Sequence, residues 1–135
     1  MRIRQALPAV LLAAGAGAVS AHHSLTATYD IEKLVSLSGV IRRIELMNPH
    51  ARVDLETPGL DGRAITWTIE MAPPNALVRR NVSLQTLTVG QQVVIESWVR
   101  KDGTPEATGR VLVLADGTRL EVGDSLMWTS AVATK

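Results

Sequence analysis

Three histidines are the side chains of this 135-residue chain best suited to metal chemistry, and they stand in two short motifs. His22 and His23 open the motif His-His-Ser, and His50 closes the motif Asn-Pro-His. Neutral imidazole is the commonest protein ligand for transition metals. If the chain is cut before His22, the free α-amine and the imidazole of that residue form a bidentate chelate. A third nitrogen from His50 would complete a histidine brace, which suits Cu(II), with His23 replacing His22 or taking an outer position.

Other residues near these motifs are candidates to line the site or to support its ligands. They are Met47, Asn48, Glu70, Met71 and Asn75. The two methionines carry soft thioether groups, which favour Cu(I). Glu70 ends the polar face of a predicted strand and Asn75 opens a predicted helix, so together they could orient a small ligand or the His50 ring.

Each of these residues also has a purely structural interpretation. Histidines at a chain start are often merely exposed, and a histidine at a strand corner is often hydrogen-bonded to backbone. Methionines at alternating strand positions usually fill gaps in the core, and Asn75 can make a hydrogen bond at the helix start. Arg79 and Arg80 suit the end of a helix dipole, and an ion pair from either of them to Glu70 would be explanation enough.

Residues 1–21 have the features of a secretion signal. Arg2 and Arg4 give a positive start, and residues 6–19 are apolar but too short to span a bilayer. Val19-Ser20-Ala21 fits a cleavage site of small residues, which predicts a cut after Ala21. The alternative is an uncleaved amphipathic or buried helix. We therefore expect a periplasmic or secreted protein that has no membrane attachment after cleavage.

Composition narrows the classes of function. The chain has no cysteine, which excludes disulfides, thiolate ligands and lipid attachment through cysteine. Removal of residues 1–21 would leave 114 residues, enough for one domain, with 12 Lys and Arg against 13 Asp and Glu. A near-neutral domain without a basic run lacks the positive charge that binds the phosphate backbone, so we do not expect nucleic acid as a partner. The sequence gives no indication of an oligomeric state.

The stretch from Val35 to Leu55 predicts a bent strand, a tight corner at Asn48-Pro49-His50 and a second strand. Before the corner, the apolar positions change from odd numbers, such as Leu37, to even numbers, such as Ile44. Strand side chains alternate between faces, so this change predicts a bulge or sharp coil, for which Gly39 is a natural place. A strand that changes its buried face serves two sheets, as a small closed barrel requires.

The remaining elements follow from alternation and turn signals. Turns are expected at 58–62, 101–105 and 116–117, and Pro73-Pro74 ends a strand and begins a helix. The predicted elements are strand three with Ile65, Trp67, Ile69 and Met71 on one face, a short helix over 75–80, strand four over 91–100, strand five over 110–115 and strand six over 118–122.

This order of elements predicts an all-β fold, namely a five- to six-stranded OB-like barrel with one short helix between strands three and four. A flat β-sandwich is the alternative. We expect a signal peptide over 1–21, an N-terminal arm over 22–34, the barrel over 35–122 and a C-terminal tail over 123–135.

The motifs together resemble a family of exported bacterial proteins that is classed as a domain of unknown function. They are His22-His23-Ser24, Asn48-Pro49-His50, Pro74-Asn75-Ala76-Leu77 with Arg79-Arg80, Leu87-Thr88-Val89-Gly90 and Leu114-Ala115-Asp116-Gly117. This chain lacks the aromatic residues that the family typically has near Leu25, Arg52 and Val53, and it has Asn81-Val82 in place of Gly-Trp. The resemblance implies an exported OB-like domain and brings no activity with it.

Two hypotheses of function follow from these observations. The leading one is an exported domain that binds a transition metal through His22, His50 and His23 and serves as a carrier or accessory protein. Copper is the expected metal. The alternative is a metal-free interaction module that docks a periplasmic partner protein or a small ligand. Enzyme activity has little support, because no nucleophile elbow, zinc-protease motif or phosphate-binding loop occurs.

Overall fold

The computed structural model of the protein describes residues 25–124. A helical turn over 25–28 leads into the first strand. The elements that follow are β1 (Tyr29–Glu45), β2 (Arg52–Pro58), β3 (Ala64–Glu70), α1 (Pro74–Arg79), β4 (Gln92–Arg100), β5 (Glu106–Leu114) and β6 (Arg119–Glu121). None of the helices within this part of the chain has the length and apolar character needed to cross a membrane.

The strands close into a barrel. Hydrogen bonds join them in the order β3-β2-β1-β4-β5-β6, and a further parallel pairing joins β3 to β5. This pairing aligns Thr68 with Glu106, Ile69 with Ala107 and Glu70 with Thr108, and so closes the ring of the first five strands. Strand β6 extends the sheet beyond β5. The prediction of an all-β, OB-like barrel with one short helix between strands three and four is therefore confirmed.

Strand β1 belongs to both halves of the barrel, as the change of apolar parity predicted. Its first part pairs with β4, up to Val40 opposite Gln92, and its last part pairs with β2, from Val40 opposite Glu56. The register shift against β2 lies between Ile41 and Arg43. The sequence predicted the bulge at Gly39, whereas the structure has it after Ile41.

Gly39 has a different role from the predicted one. A Cβ atom at this position would overlap the backbone carbonyl oxygen of Glu56 and lie 2.9 Å from its carbonyl carbon. Only glycine leaves room for the two backbones to approach this closely. Gly39 therefore allows β1 to cross β2 where it passes from one half of the barrel to the other.

Two strands begin earlier than the sequence indicated. Strand β1 starts at Tyr29, inside the predicted arm, because Tyr29 pairs with Arg100 of β4 and the backbone N–H of Lys101 donates to the carbonyl of Thr28. Strand β5 starts at Glu106 instead of Arg110, because its first residues pair with β3. The predicted signal peptide, residues 22–24 and the tail from residue 125 lie outside the described residues.

The core lies inside the barrel and continues under the helix. Its fully buried side chains come from β1 to β5, from the segment between β3 and β4, and from Val122 just after β6. The largest are Ile41, Val53, Leu55, Ile69, Met71, Leu77, Val82, Leu87, Val93, Ile95, Leu112 and Val122. Pro74 starts α1, which buries Leu77 and ends at the C-cap Arg80. This short helix thus fixes the backbone that follows β3 against the barrel.

Candidate functional site

His50 stands between β1 and β2, and the residues on its C-terminal side are tied to the end of β3. The backbone N–H of Ala51 donates to the carbonyl of Ala72 over 3.3 Å, and the N–H of Met71 donates to the carbonyl of Ala51 over 2.8 Å. Ala51 is completely buried. These bonds hold the Asn-Pro-His corner, whose Asn48–Pro49 peptide is cis, beside the last residues of β3.

Both ring nitrogens of His50 face carboxylates. The Nδ1 atom lies 3.1 Å from Oε1 of Glu70, the last residue of β3, and the Nε2 atom lies 3.4 Å from Oδ2 of Asp124. The His50 side chain keeps 26% of its surface exposed. The ring is therefore fixed in orientation but still open to a solute.

Glu70 lies between His50 and Arg52. Its second oxygen, Oε2, lies 4.0 Å from a guanidinium nitrogen of Arg52, the first residue of β2. A carboxylate placed between an imidazole and a guanidinium loses much of its freedom to rotate. Glu70 therefore lies where it can orient the His50 ring, as the sequence analysis suggested.

The ion pairs of Glu70 within residues 25–124 are with His50 and Arg52 and not with Arg79 or Arg80, so the structural alternative based on an Arg79 or Arg80 pair does not apply. Instead, the Nη1 atom of Arg80 donates to the carbonyl oxygen of Gly123 over 2.6 Å and approaches that of Glu121 at 3.5 Å. The N–H groups of Val122 and Gly123 both donate to the carbonyl of Arg110. These contacts fix the segment that ends in Asp124.

Asp124 is the site residue that sequence reasoning missed. It lies in the predicted C-terminal tail, where no periodicity assigned an element. The pairing of β6 with β5, together with the bonds from Arg80 and Ala72, brings the segment after β6 back to the Asn-Pro-His corner. No signal in the sequence could have identified it, because a single aspartate after a glycine is common in loops.

The other candidate residues are distributed unevenly around the corner. Met47 and Asn48 are exposed beside His50, whereas Met71 is 1% exposed and belongs to the core. Asn75 is exposed on α1, which has no side-chain hydrogen bond at its N-cap. The buried position of Met71 fits the packing role and not that of a ligand. His22 and His23 lie outside the described residues.

Residues 25–124 contain no group of three or more His, Asp or Glu side chains that could hold a metal ion. The reason is visible at His50. Glu70 and Asp124 lie at different ring nitrogens, so an ion bound at one nitrogen has only one of the two carboxylates beside it. A metal centre at this corner would need ligands from elsewhere in the chain.

Tyr29 connects the start of β1 to the same end of the barrel. Burial raises the pKa of its phenol above the ordinary value of 10.0, and the negative charges of Glu70 and then Glu106 raise it further. Arg100 and Arg52 act in the opposite direction. The carboxylate of Glu70, which contacts His50, therefore influences the ionisation of Tyr29, the first residue of β1.

Spectrophotometric titration should report this environment directly, since Tyr29 is the only tyrosine in the chain. We expect its phenolate absorbance to appear at a higher pH than in the unfolded chain, and Glu70→Gln to lower that midpoint. Because the folded state favours the neutral phenol, its contribution to stability is present below pH 10 and is lost as the pH rises through the raised pKa. Asp116→Asn, in the hairpin turn between β5 and β6, is the control and should leave the midpoint unchanged. A midpoint equal to that of the unfolded chain would contradict this assignment.

Comparison with known proteins gives a family but no activity. Neither the curated proteins nor the solved structures contain a match to this chain. A family model does match residues 9–110, which is most of the chain and includes the Asn-Pro-His corner, β3 and α1. The chain therefore belongs to the family of unknown function DUF6152.

Proposed function

We propose that the protein is an exported domain that binds a transition metal, most suitably Cu(II), at the Asn-Pro-His corner. His50 supplies one nitrogen from the barrel, and the α-amine and imidazole of His22 supply two more after cleavage behind Ala21. His23 is the substitute for His22 or an outer ligand. In this proposal the protein carries the metal or assists another protein of the periplasm, and it is not itself an enzyme.

The contact between His50 Nδ1 and Glu70, at 3.1 Å, is the observation that carries the proposal. A histidine that binds a metal through one ring nitrogen usually donates the N–H of the other to a carboxylate or carbonyl. This hydrogen bond fixes the orientation of the ring and makes the ligand more basic. Glu70 lies at that position. With the ring oriented and partly exposed, an ion and further ligands would complete the metal site.

The start of the described chain is anchored at the turn that follows β4. Leu25 is buried, and Lys101 binds the helical turn through its Nζ atom, 2.7 Å from the carbonyl oxygen of Thr26. His22 is three residues before Leu25, a span of about 10 Å when extended. The proposal requires His22 to fold back from Leu25 toward His50.

The available donors suit an ion that accepts nitrogen and oxygen ligands. Imidazole and amine nitrogens favour Cu(II) or Ni(II) in a tetragonal arrangement. Among the described methionines, Met47 has an exposed thioether beside the corner, whereas Met71 is packed in the core. The predominance of nitrogen over accessible sulfur is the reason to propose Cu(II) before Cu(I).

Titration of the chain that begins at His22 with Cu(II), in competition with a chelator, tests the proposal. We expect one ion per chain and a loss of affinity of at least about 100-fold in His50→Ala, since a direct ligand should cost no less than the 10- to 100-fold typical of an outer-shell partner. One additional residue before His22 should weaken binding because it removes the free amine from the chelate. Arg63→Ala, in the exposed turn between β2 and β3, should bind normally. Binding no tighter than that of a scrambled peptide with two histidines would refute the proposal.

The metal-free alternative is favoured by a different observation. Val78, Leu84 and Val89 are large apolar residues between β3 and β4 that keep 59%, 60% and 62% of their surface exposed. If these side chains form one contiguous patch, they mark a docking surface. If the protein is such a module, Val78→Ser and Leu84→Ser should abolish capture of its partner, whereas His50→Ala and the extra N-terminal residue should have no effect on it.

A further inference from the structure

We infer that Asp124 is an oxygen ligand of the metal bound at His50, and that His50 binds this metal through Nε2. The inference rests on the proposed function. It adds a residue from the far end of the described chain to a site that the sequence assigned only to histidines.

The two donor atoms lie close to the spacing of shared coordination. The Nε2 atom of His50 and the Oδ2 atom of Asp124 are 3.4 Å apart, which is longer than the usual 2.7–3.2 Å of an N–H···O hydrogen bond. In the tetragonal arrangement that Cu(II) prefers, two neighbouring ligand atoms at about 2.0–2.2 Å from the ion and at roughly 90° are about 3.0 Å apart. The two atoms therefore need to approach each other by only about 0.4 Å to bind one ion.

The contact with Glu70 determines which nitrogen of His50 is available. The Nδ1 atom faces Glu70 at 3.1 Å, on the side of the ring away from Asp124. With the Nδ1 proton directed at Glu70, the lone pair of the neutral ring lies on Nε2. A metal thus enters between His50 and Asp124 without displacing Glu70.

The backbone before Asp124 is fixed well enough to present a ligand. The guanidinium of Arg80 binds the carbonyl oxygen of Gly123, and the N–H of Ala72 donates to the carbonyl of Val122 over 2.7 Å. Gly123 and Val122 are both buried. These bonds tie the segment to α1 and to the end of β3, the same region that holds the Asn-Pro-His corner. Preorganisation of this kind is what a metal site needs from its supporting residues.

The Asp124→Asn variant of the chain that begins at His22 tests the inference by chelator competition for Cu(II). We expect its affinity to fall at least tenfold and the Cu(II) hyperfine splitting in the electron paramagnetic resonance spectrum to change. Glu121→Gln removes the same charge three residues earlier from an exposed side chain, and it should change neither quantity. Circular dichroism establishes that each variant is folded.

The outcomes separate this inference from the proposed function. If the unaltered chain does not bind Cu(II), the proposed function fails and the inference fails with it. If the unaltered chain binds, His50→Ala abolishes binding and Asp124→Asn behaves like the unaltered chain, the inference alone is overturned. Equal weakening in Asp124→Asn and Glu121→Gln, with unchanged spectra, would also overturn it, because a general loss of negative charge would then explain the result.

Discussion

Replacement of Gly39 by alanine is expected to lower the free energy of unfolding by about 3 kcal/mol, at the upper end of what overpacking usually costs. The added methyl group would overlap the carbonyl oxygen of Glu56 and lie 3.1 Å from Cγ of Leu55. Glu56 is part of the β1–β2 pairing, where it lies opposite Val40. Relief of the overlap would separate the two strands at the point where β1 passes from β4 to β2.

Thermal and denaturant unfolding of Gly39→Ala would measure this effect, with a fall in Tm of more than about 10 °C for a domain of this size. Gly62→Ala is the matched control. Its Cβ atom would have no neighbour within 4 Å, but the backbone φ angle is +80°, so we expect only the cost of about 1–2 kcal/mol of a left-handed conformation. If both substitutions cost the same, close approach of the strands is not the reason for glycine at position 39.

The sequence was sufficient to predict those parts of the fold that depend on local patterns. The change of apolar parity around Gly39 predicted that β1 serves two parts of the barrel, and Pro73-Pro74 predicted the start of α1 to within one residue. Asp116-Gly117 predicted the last hairpin, where Gly117 has a φ angle of +86°. Each of these features is dictated by residues that are adjacent or alternate in the chain.

Features that depend on distant partners were predicted less well. Strand β5 begins at Glu106 because β3 lies beside it in parallel, and a parallel pairing leaves no turn signal between the two strands. Strand β1 begins at Tyr29 because Arg100 lies opposite, although residues 29–34 have no sustained alternation that would predict a strand. In both cases the tertiary neighbour, and not the local pattern, determines where the strand starts.

The candidate site shows the same division. Position in motifs and at the end of a predicted strand singled out His50 and Glu70, and the structure places them 3.1 Å apart. The contacts of Asp124 and Arg80 depend on the return of the chain after β6, which no local pattern encodes. Local patterns therefore identified His50, Glu70 and Arg80, but not Asp124 or the bond by which Arg80 fixes the segment before it.

Replacement of Met71 by alanine is expected to cost about 2–5 kcal/mol of stability, because it leaves a cavity in the core. Met71 is 1% exposed, directly follows β3, and is fixed by the bond from its N–H to the carbonyl of Ala51. As a soft sulfur ligand, in contrast, it would have to reach an ion at the surface. The two roles make opposite predictions for a substitution that keeps the volume and removes the sulfur.

Met71→Leu provides that substitution. We expect it to cost less than about 1.5 kcal/mol and to leave Cu(I) and Cu(II) affinities unchanged, as measured by chelator competition on the folded protein. Met47→Ala, at an exposed position beside the corner, should change stability by less than about 0.5 kcal/mol, and it should weaken Cu(I) binding if any methionine does so. A folded Met71→Leu variant with reduced Cu(I) affinity would show that the core opens to deliver this sulfur to the ion, and would contradict its assignment as a packing residue.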